Sequence, residues 1–281
     1  MCLPRPPAGH VGAGQPSGTI PPAMRHPHSI PRNVRITLLA LFALVRMSTS
    51  AAEEKRVPLR VEVPPPTSAM FHTNHHIKDP DVEWPGDPNK SGLTVPVGTE
   101  NVARGMPVAV DGVKRPTLGS LDQVTDGEKW GTDDCFVELP PGVRWIQIDL
   151  RASTPIYAVA LWQTQGYDRA YRDVIVQVSD DAEFKRGVTT IFNNDADGSS
   201  GQGKGTDREY ADTAMGRLID ARGVRARYER LYSSGYRQRG GFGGGETHWS
   251  EVEVYGTPTT EGRAFRDQRR PPAERPSPGK R

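Results

Sequence analysis

Several stretches of this sequence have residue types and spacings that chemistry can use. Gly198-Ser-Ser-Gly-Gln-Gly-Lys-Gly205 nearly matches a phosphate-binding loop. Gly205, however, replaces the Ser or Thr that would hold magnesium, and Thr206 to Met215 is polar where an apolar helix should start. Asn193-Asn-Asp-Ala-Asp-Gly198 matches the first half of an EF-hand loop, but Lys204 stands where a bidentate glutamate is required. Asp195 and Asp197 still allow a calcium loop of another kind; the alternative is a solvated, turn-rich loop. His72-Thr-Asn-His-His76, with Asp79 and Asp81, has ligand types for a transition metal but no helical metal-motif spacing, so it reads as a polar linker. Arg237-Gln-Arg-Gly-Gly-Phe-Gly-Gly-Gly245 has the composition of an RNA-binding Arg-Gly-Gly box. It falls between two strand-like runs, which favours a long hairpin loop. There is no Gly-x-Ser-x-Gly elbow and no His-Glu-x-x-His pair. Cys135 has no partner residue that would mark it as a reactive nucleophile. The reading is therefore not an enzyme.

The elements that would position such residues are short strands. Trp145-Ile-Gln-Ile-Asp-Leu150 alternates with period two, and Ile156 to Trp162 is a mostly apolar run between Pro155 and Gly166. Val174–Val178, Val188–Phe192, Arg227–Tyr232 and Glu251–Tyr255 follow, each β-branched or aromatic and bounded by turn residues. Trp145 is expected to fill a core. Arg227 and Arg230 should fall on opposite faces, and Val252 and Val254 should point inward. Short strands joined by glycine-rich loops predict an all-β sandwich or barrel.

The flanks differ. Met1 to Ala23 lacks periodicity. Met24, a second possible start, opens a stretch with Arg25, Arg32 and Arg35, then the apolar run Ile36–Val45, then Ser50-Ala-Ala52. That order is a signal peptide cleaved near Ala52, and it predicts a secreted or periplasmic protein. The run is shorter than the roughly 20 residues that span a bilayer, so no membrane span is expected. Cys2 would be lost with this segment, leaving Cys135 alone and no intrachain disulfide. Residues 53–98 read as a polar, proline-rich lead-in, with Leu59-Arg-Val-Glu-Val63 as one possible strand. Residues 257–281, rich in arginine and proline, read as a disordered basic tail. The 36 basic residues against 34 acidic ones leave a net charge of +2, too small a field to point to nucleic acid.

Between the flanks, residues 99–256 resemble a known family. Thr125-Asp-Gly127, Trp145–Leu150, Val176-Gln-Val-Ser-Asp-Asp-Ala-Glu-Phe184, Ala226–Tyr232 and Glu251–Gly256 occur in the order found in the discoidin (coagulation factor 5/8 type C) domain, in a bacterial secreted form. The resemblance implies a galactose-binding-like jelly-roll β-sandwich. It also implies a structural calcium held by Asp126 and Glu251, helped by Thr132 or Asp134; the other reading makes Asp126 a turn residue and Glu251 a solvated strand residue. Such folds bind ligands through loops at one end, and sugar sites combine an aromatic platform with a few fixed polar groups. Trp162, Tyr167 and Arg169, with Tyr236, Arg237 and His248, are the candidates, core packing being the alternative for Trp162. The function implied is carbohydrate (glycan) recognition. The alternatives are an adhesive cell-surface accessory with a protein partner or, further off, a glycoside hydrolase.

Overall fold

Period-two alternation and β-branched runs carry straight into strands. The computed structural model describes residues 54–64, 79–129, 135–164, 169–238 and 243–269. The signal segment, His72 to His76, Thr132, Asp134, Tyr167 and the tail beyond 269 lie outside them. In chain order the strands are β1 (Arg56–Pro58), β2 (Val82–Glu83), β3 (Thr94–Pro96), β4 (Glu100–Asn101), β5 (Val108–Val110), β6 (Val137–Leu139), β7 (Arg144–Trp162), β8 (Arg169–Tyr171), β9 (Ile175–Ser179) and β10 (Thr189–Asn193). Then come β11 (Glu209–Ala211), β12 (Arg217–Ser233), β13 (Tyr236–Gln238), β14 (Gly243–Gly244), β15 (Thr247–Trp249), β16 (Glu251–Gly256) and one helix, α1 (Thr260–Arg269).

The result is the expected all-β sandwich. One sheet runs β10-β9-β12-β7-β16-β4, with β5 paired to the first half of β7. The other runs β14-β13-β8-β11-β2, and the ribbons β6–β15 and β1–β3 complete it. All pairings are antiparallel except β2 with β11. Between the sheets, Ile146, Ile148 and Leu150 of β7, Val176 and Val178 of β9 and Val252 and Val254 of β16 meet Tyr171, Tyr210 and Trp249 in one buried cluster.

The two predicted runs Trp145–Leu150 and Ile156–Trp162 are one strand. It bends where Arg151 takes φ 72°, opposite the β12 bulge between Ala226 and Tyr228; a second β12 bulge, where Arg222 and Gly223 take φ 55° and 75°, lies opposite Tyr157. Pro155 sits at this irregular stretch, where a missing N–H is tolerated. The continuous apolar run beyond it has a cause: β7 is covered on both faces there. Val159 and Leu161 face the inter-sheet core, while Ala158, Ala160 and Trp162 pack against Leu59, Val61 and Val95. The lead-in thus supplies a second, smaller core. The strand expected at Leu59–Val63 falls instead at Arg56–Pro58, with β2 and β3 also in the lead-in; Leu59 and Val61 are buried as irregular chain.

Three further expectations are corrected. Trp145 does not fill the core: Ile146, Ile148 and Leu150 own the inner face, and Trp145 lies on the outer one with the Arg230 guanidinium 4.2 Å from its ring. Arg227 and Arg230 share that outer face, because a bulge between Ala226 and Tyr228 shifts the register; Arg227 binds Asp149, and Arg230 binds Gln147. The tail is not disordered from residue 257. Residues 260–269 form α1, whose Phe265 packs on the core cluster beneath Arg151, 4.5 Å away. A segment with one apolar anchor cannot fold alone, but a preformed sheet end gives it somewhere to bury that anchor.

Candidate functional site

Strand pairing brings the aromatic and polar candidates together. In the β8–β13 ladder Tyr171 lies opposite Tyr236, and in the β6–β15 ladder Glu138 lies opposite His248. The Tyr171 and Tyr236 ring centres are 5.9 Å apart. The His248 ring lies 5.6 Å from Tyr236 and 5.2 Å, edge-on, from Phe136. The Arg169 guanidinium sits 4.1 Å from the Tyr236 ring, a cation–π contact that holds both flat.

A chain of hydrogen bonds orders the polar side. Arg169 Nη1 donates to Thr164 Oγ1 (2.7 Å), which lies 2.5 Å from the Tyr171 hydroxyl. That hydroxyl is 3.1 Å from His248 Nδ1, and His248 Nε2 is 3.3 Å from Glu138 Oε2. The guanidinium can only donate and a carboxylate only accepts, so every proton in the chain points one way. Thr164 donates to Tyr171, Tyr171 donates to Nδ1, and Nε2–H donates to Glu138. This assigns the tautomer from the network. Burial, then the Arg169 charge, pushes the His248 pKa down to about 3, so the ring is neutral at physiological pH. Burial holds the Tyr171 phenol protonated. Glu138 is raised by burial and by the nearby Glu246. Behind the chain, Asp212 Oδ2 accepts from the Gln163 amide, and burial lifts the Asp212 carboxyl to about 8. Asp212 Oδ1 and Gln163 Nε2 are buried without a hydrogen bond.

Of the six ligand candidates, Arg169, Tyr236 and His248 meet here. Tyr167 lies outside the described residues. Trp162 is not available to a ligand: it is fully buried, with Nε1 donating to the Ala214 carbonyl (3.1 Å) and Lys129 5.0 Å from its ring. Arg237 shares the strand with Tyr236, but its guanidinium is committed to Asp79 and Glu209. Sequence reasoning missed Glu138, Thr164, Tyr171 and Phe136. The alternation Val137-Glu-Leu139 was a usable signal for Glu138, since it sets one polar side chain against two buried ones.

The two described candidates for calcium also converge. The turn after the 3₁₀ segment Leu121–Thr125 places the Gly127 N–H 2.9 Å from Glu251 Oε2. Glu251 is not a solvated strand residue; it is fully buried, and its Oε1 has no hydrogen bond. Burial lifts its carboxyl to about 9 and raises that of Asp126. Beside it, Lys129 Nζ pairs with Glu253 Oε1 at 2.8 Å and donates to the Glu62 carbonyl at 2.7 Å.

The acidic loop at 193–205 is differently used. Carboxylate oxygens of Asp173, Asp195 and Asp197 lie within 4.8 Å of one another. Asp195 accepts from the amides of Gly198, Ser199 and Ser200 and from the Ser200 hydroxyl. An internal carboxylate therefore fills the place where the near-motif would cradle a phosphate. Gly205 is required because a Cβ there would stand 1.9 Å from the Asn193 carbonyl. Gly243 and Gly244 of the Arg-Gly-Gly stretch form β14, which pairs with β13 as a hairpin.

No protein-family model matches the chain. No curated protein matches it either. Several solved structures are similar at low identity. The chitosan-binding module 1 of a chitosanase/glucanase from Paenibacillus sp. IK-5 is 20% identical with a TM-score of 0.38, over 56% of this chain and 99% of that one. The lectin binding domain of lectinolysin, complexed with Lewis b, is 16% identical with a TM-score of 0.39, over 57% of this chain and 98% of that one. A family 89 glycoside hydrolase from Clostridium perfringens is 19% identical with a TM-score of 0.39, over 57% of this chain and only 15% of the hydrolase. This chain's own strand pairing makes the sandwich; no residue role is taken from these likenesses.

Proposed function

We propose that this chain is an exported, non-catalytic module that binds a glycan at the Arg169–Tyr236–His248 cluster. The observation that supports it is the one-way chain from Arg169 to Glu138. It fixes Arg169, on the face of the half-buried Tyr236 ring, beside a neutral imidazole and a half-buried carboxylate. A sugar's hydroxyls need fixed donors and acceptors, which Arg169 and Glu138 supply beside the aromatic Tyr236. Rigid polar groups lose little entropy on binding, which favours affinity. A glycan array, followed by titration of the best ligand into Arg169→Ala and Tyr236→Ala, tests the reading. Each should weaken binding by about tenfold or more, in keeping with the cost of a lost charge-assisted contact. Binding unchanged in both variants rejects the site.

We further propose a structural calcium at Asp126 and Glu251. The buried, unpaired Glu251 Oε1 supports this, because a hard cation accepts such an oxygen and would keep both carboxylates ionised. Calcium at 100 times its dissociation constant would add about 2.7 kcal/mol to stability. Chelator should then lower the melting temperature of the wild type and leave Glu251→Gln unmoved. A wild-type melting temperature indifferent to both chelator and added calcium rejects the proposal.

A further inference from the structure

A second charged feature lies away from the Arg169 cluster and shares no residue with it. The docked helix α1 and the turn at Arg104–Gly105 enclose a cleft of about 770 Å³, lined by Arg104, Arg263, Arg266 and Arg269 together with Glu100, Asp126 and Asp267. Four guanidiniums face three carboxylates, so the cleft carries a net positive charge. Those charges are not equally engaged. Arg263 Nη2 lies 3.0 Å from Glu100 Oε1, and Arg266 reaches the same carboxylate (3.7 Å) and the Asn101 carbonyl (3.0 Å). Arg104 and Arg269 are both exposed; Arg104 acts on the Asp126 carboxylate through its charge, and neither makes a hydrogen bond or close ion pair with a described residue. Arg104 lies flat against Gly127, whose missing Cβ leaves it room, and Arg269 lies 5.6 Å from the Phe265 ring. Packing therefore holds two guanidinium groups at one cleft with their donors unspent.

We propose that this cleft binds the carboxylate of a uronic-acid saccharide. Arg104 and Arg269 supply planar paired donors to the sugar carboxylate, a geometry that guanidinium matches better than an ammonium group does. Asp267 accepts from neighbouring ring hydroxyls. The same lining argues against single-stranded nucleic acid, which is held by stacking its bases on aromatic side chains; no residue lining the cleft is aromatic. Glu100 and Asp267 also oppose a chain of closely spaced fixed phosphates or sulfates, whereas a uronate presents one anion among several hydroxyl donors.

The test is titration of the full chain, in constant calcium, with a tetragalacturonate, a neutral tetrasaccharide, a heparin tetrasaccharide and inorganic sulfate. The tetragalacturonate should bind, and its affinity should fall as salt rises. The double variant R104Q/R269Q should weaken it at least tenfold, while Tyr236→Ala leaves it unchanged. Both arginines are exposed, so the melting temperature of the double variant should match the wild type; the single variants provide an intermediate loss. Uronate binding that survives R104Q/R269Q, or that is lost in Tyr236→Ala instead, overturns the proposal. Tighter binding of the heparin fragment or of sulfate than of the uronate overturns it as well.

Discussion

Glu229 is a carboxylic acid in the wrong place for a charge. It lies on β12 between Tyr228 and Arg230, which face outward, and opposite Ile148 of β7 and Val178 of β9. It is fully buried, and neither carboxyl oxygen has a hydrogen bond. Burial alone lifts its pKa from the ordinary 4.5 to about 8. Glu229 therefore stays protonated in the folded protein at neutral pH, while the unfolded chain ionises it. The sign follows from linkage: the unfolded state releases the proton first, so stability is highest below 4.5 and falls as pH rises towards 8. Each pH step costs about 1.4 kcal/mol, so by pH 7 the loss is about 3 kcal/mol. Glu229→Met, close in volume and apolar, removes this loss. For a domain of this size about 3 kcal/mol corresponds to roughly 6–12 °C in melting temperature. The assay is thermal or urea unfolding of wild type and variant from pH 4.5 to 8, read as the difference between them. The difference isolates Glu229 from His248, which acts in the opposite sense: its pKa is depressed, so its contribution is lost as pH falls below 6.5. The stability difference between variant and wild type should be smallest at pH 4.5 and should grow steadily above it. A difference that stays flat across this range would refute the reasoning.

Two other substitutions probe the packing beside the sites. Lys129→Met should destabilise by about 3–5 kcal/mol in urea unfolding, because it strands the buried Glu253 carboxylate without its cation. Gly205→Ala should cost about 1–3 kcal/mol by the same measurement, since its Cβ would meet the Asn193 carbonyl and force the loop to move.

Much of the sandwich was legible because alternation in β7, β9 and β16 is a local signal. Val252 and Val254 point inward as their spacing requires. What escaped was set by distant partners. Arg217 to Ala226, with Asp220, Arg222 and Gly223, is not among the predicted runs; it becomes strand because it pairs with the far half of β7. Leu59 and Val61 looked like part of a linker until the outer face of β7 gave them a core. At the site, the rough location was readable and the division of labour was not. Trp162 has the aromatic surface of a sugar platform, but both faces of β7 are covered, and that coverage comes from residues 100 positions upstream. Arg237 looked as free as Arg169; Asp79 and Glu209, which neutralise it, arrive from two other segments. Glu138 and Tyr171 mattered only once strand register set each beside His248.

Crystallography or NMR shift mapping of the chain with its best array ligand tests most directly whether the Arg169–Tyr236–His248 cluster holds a sugar. Tyr236, Arg169 and Glu138 should be the residues perturbed, and Tyr236→Ala should abolish the effect. Perturbations confined to other surfaces, with Tyr236→Ala binding as well as wild type, would contradict it.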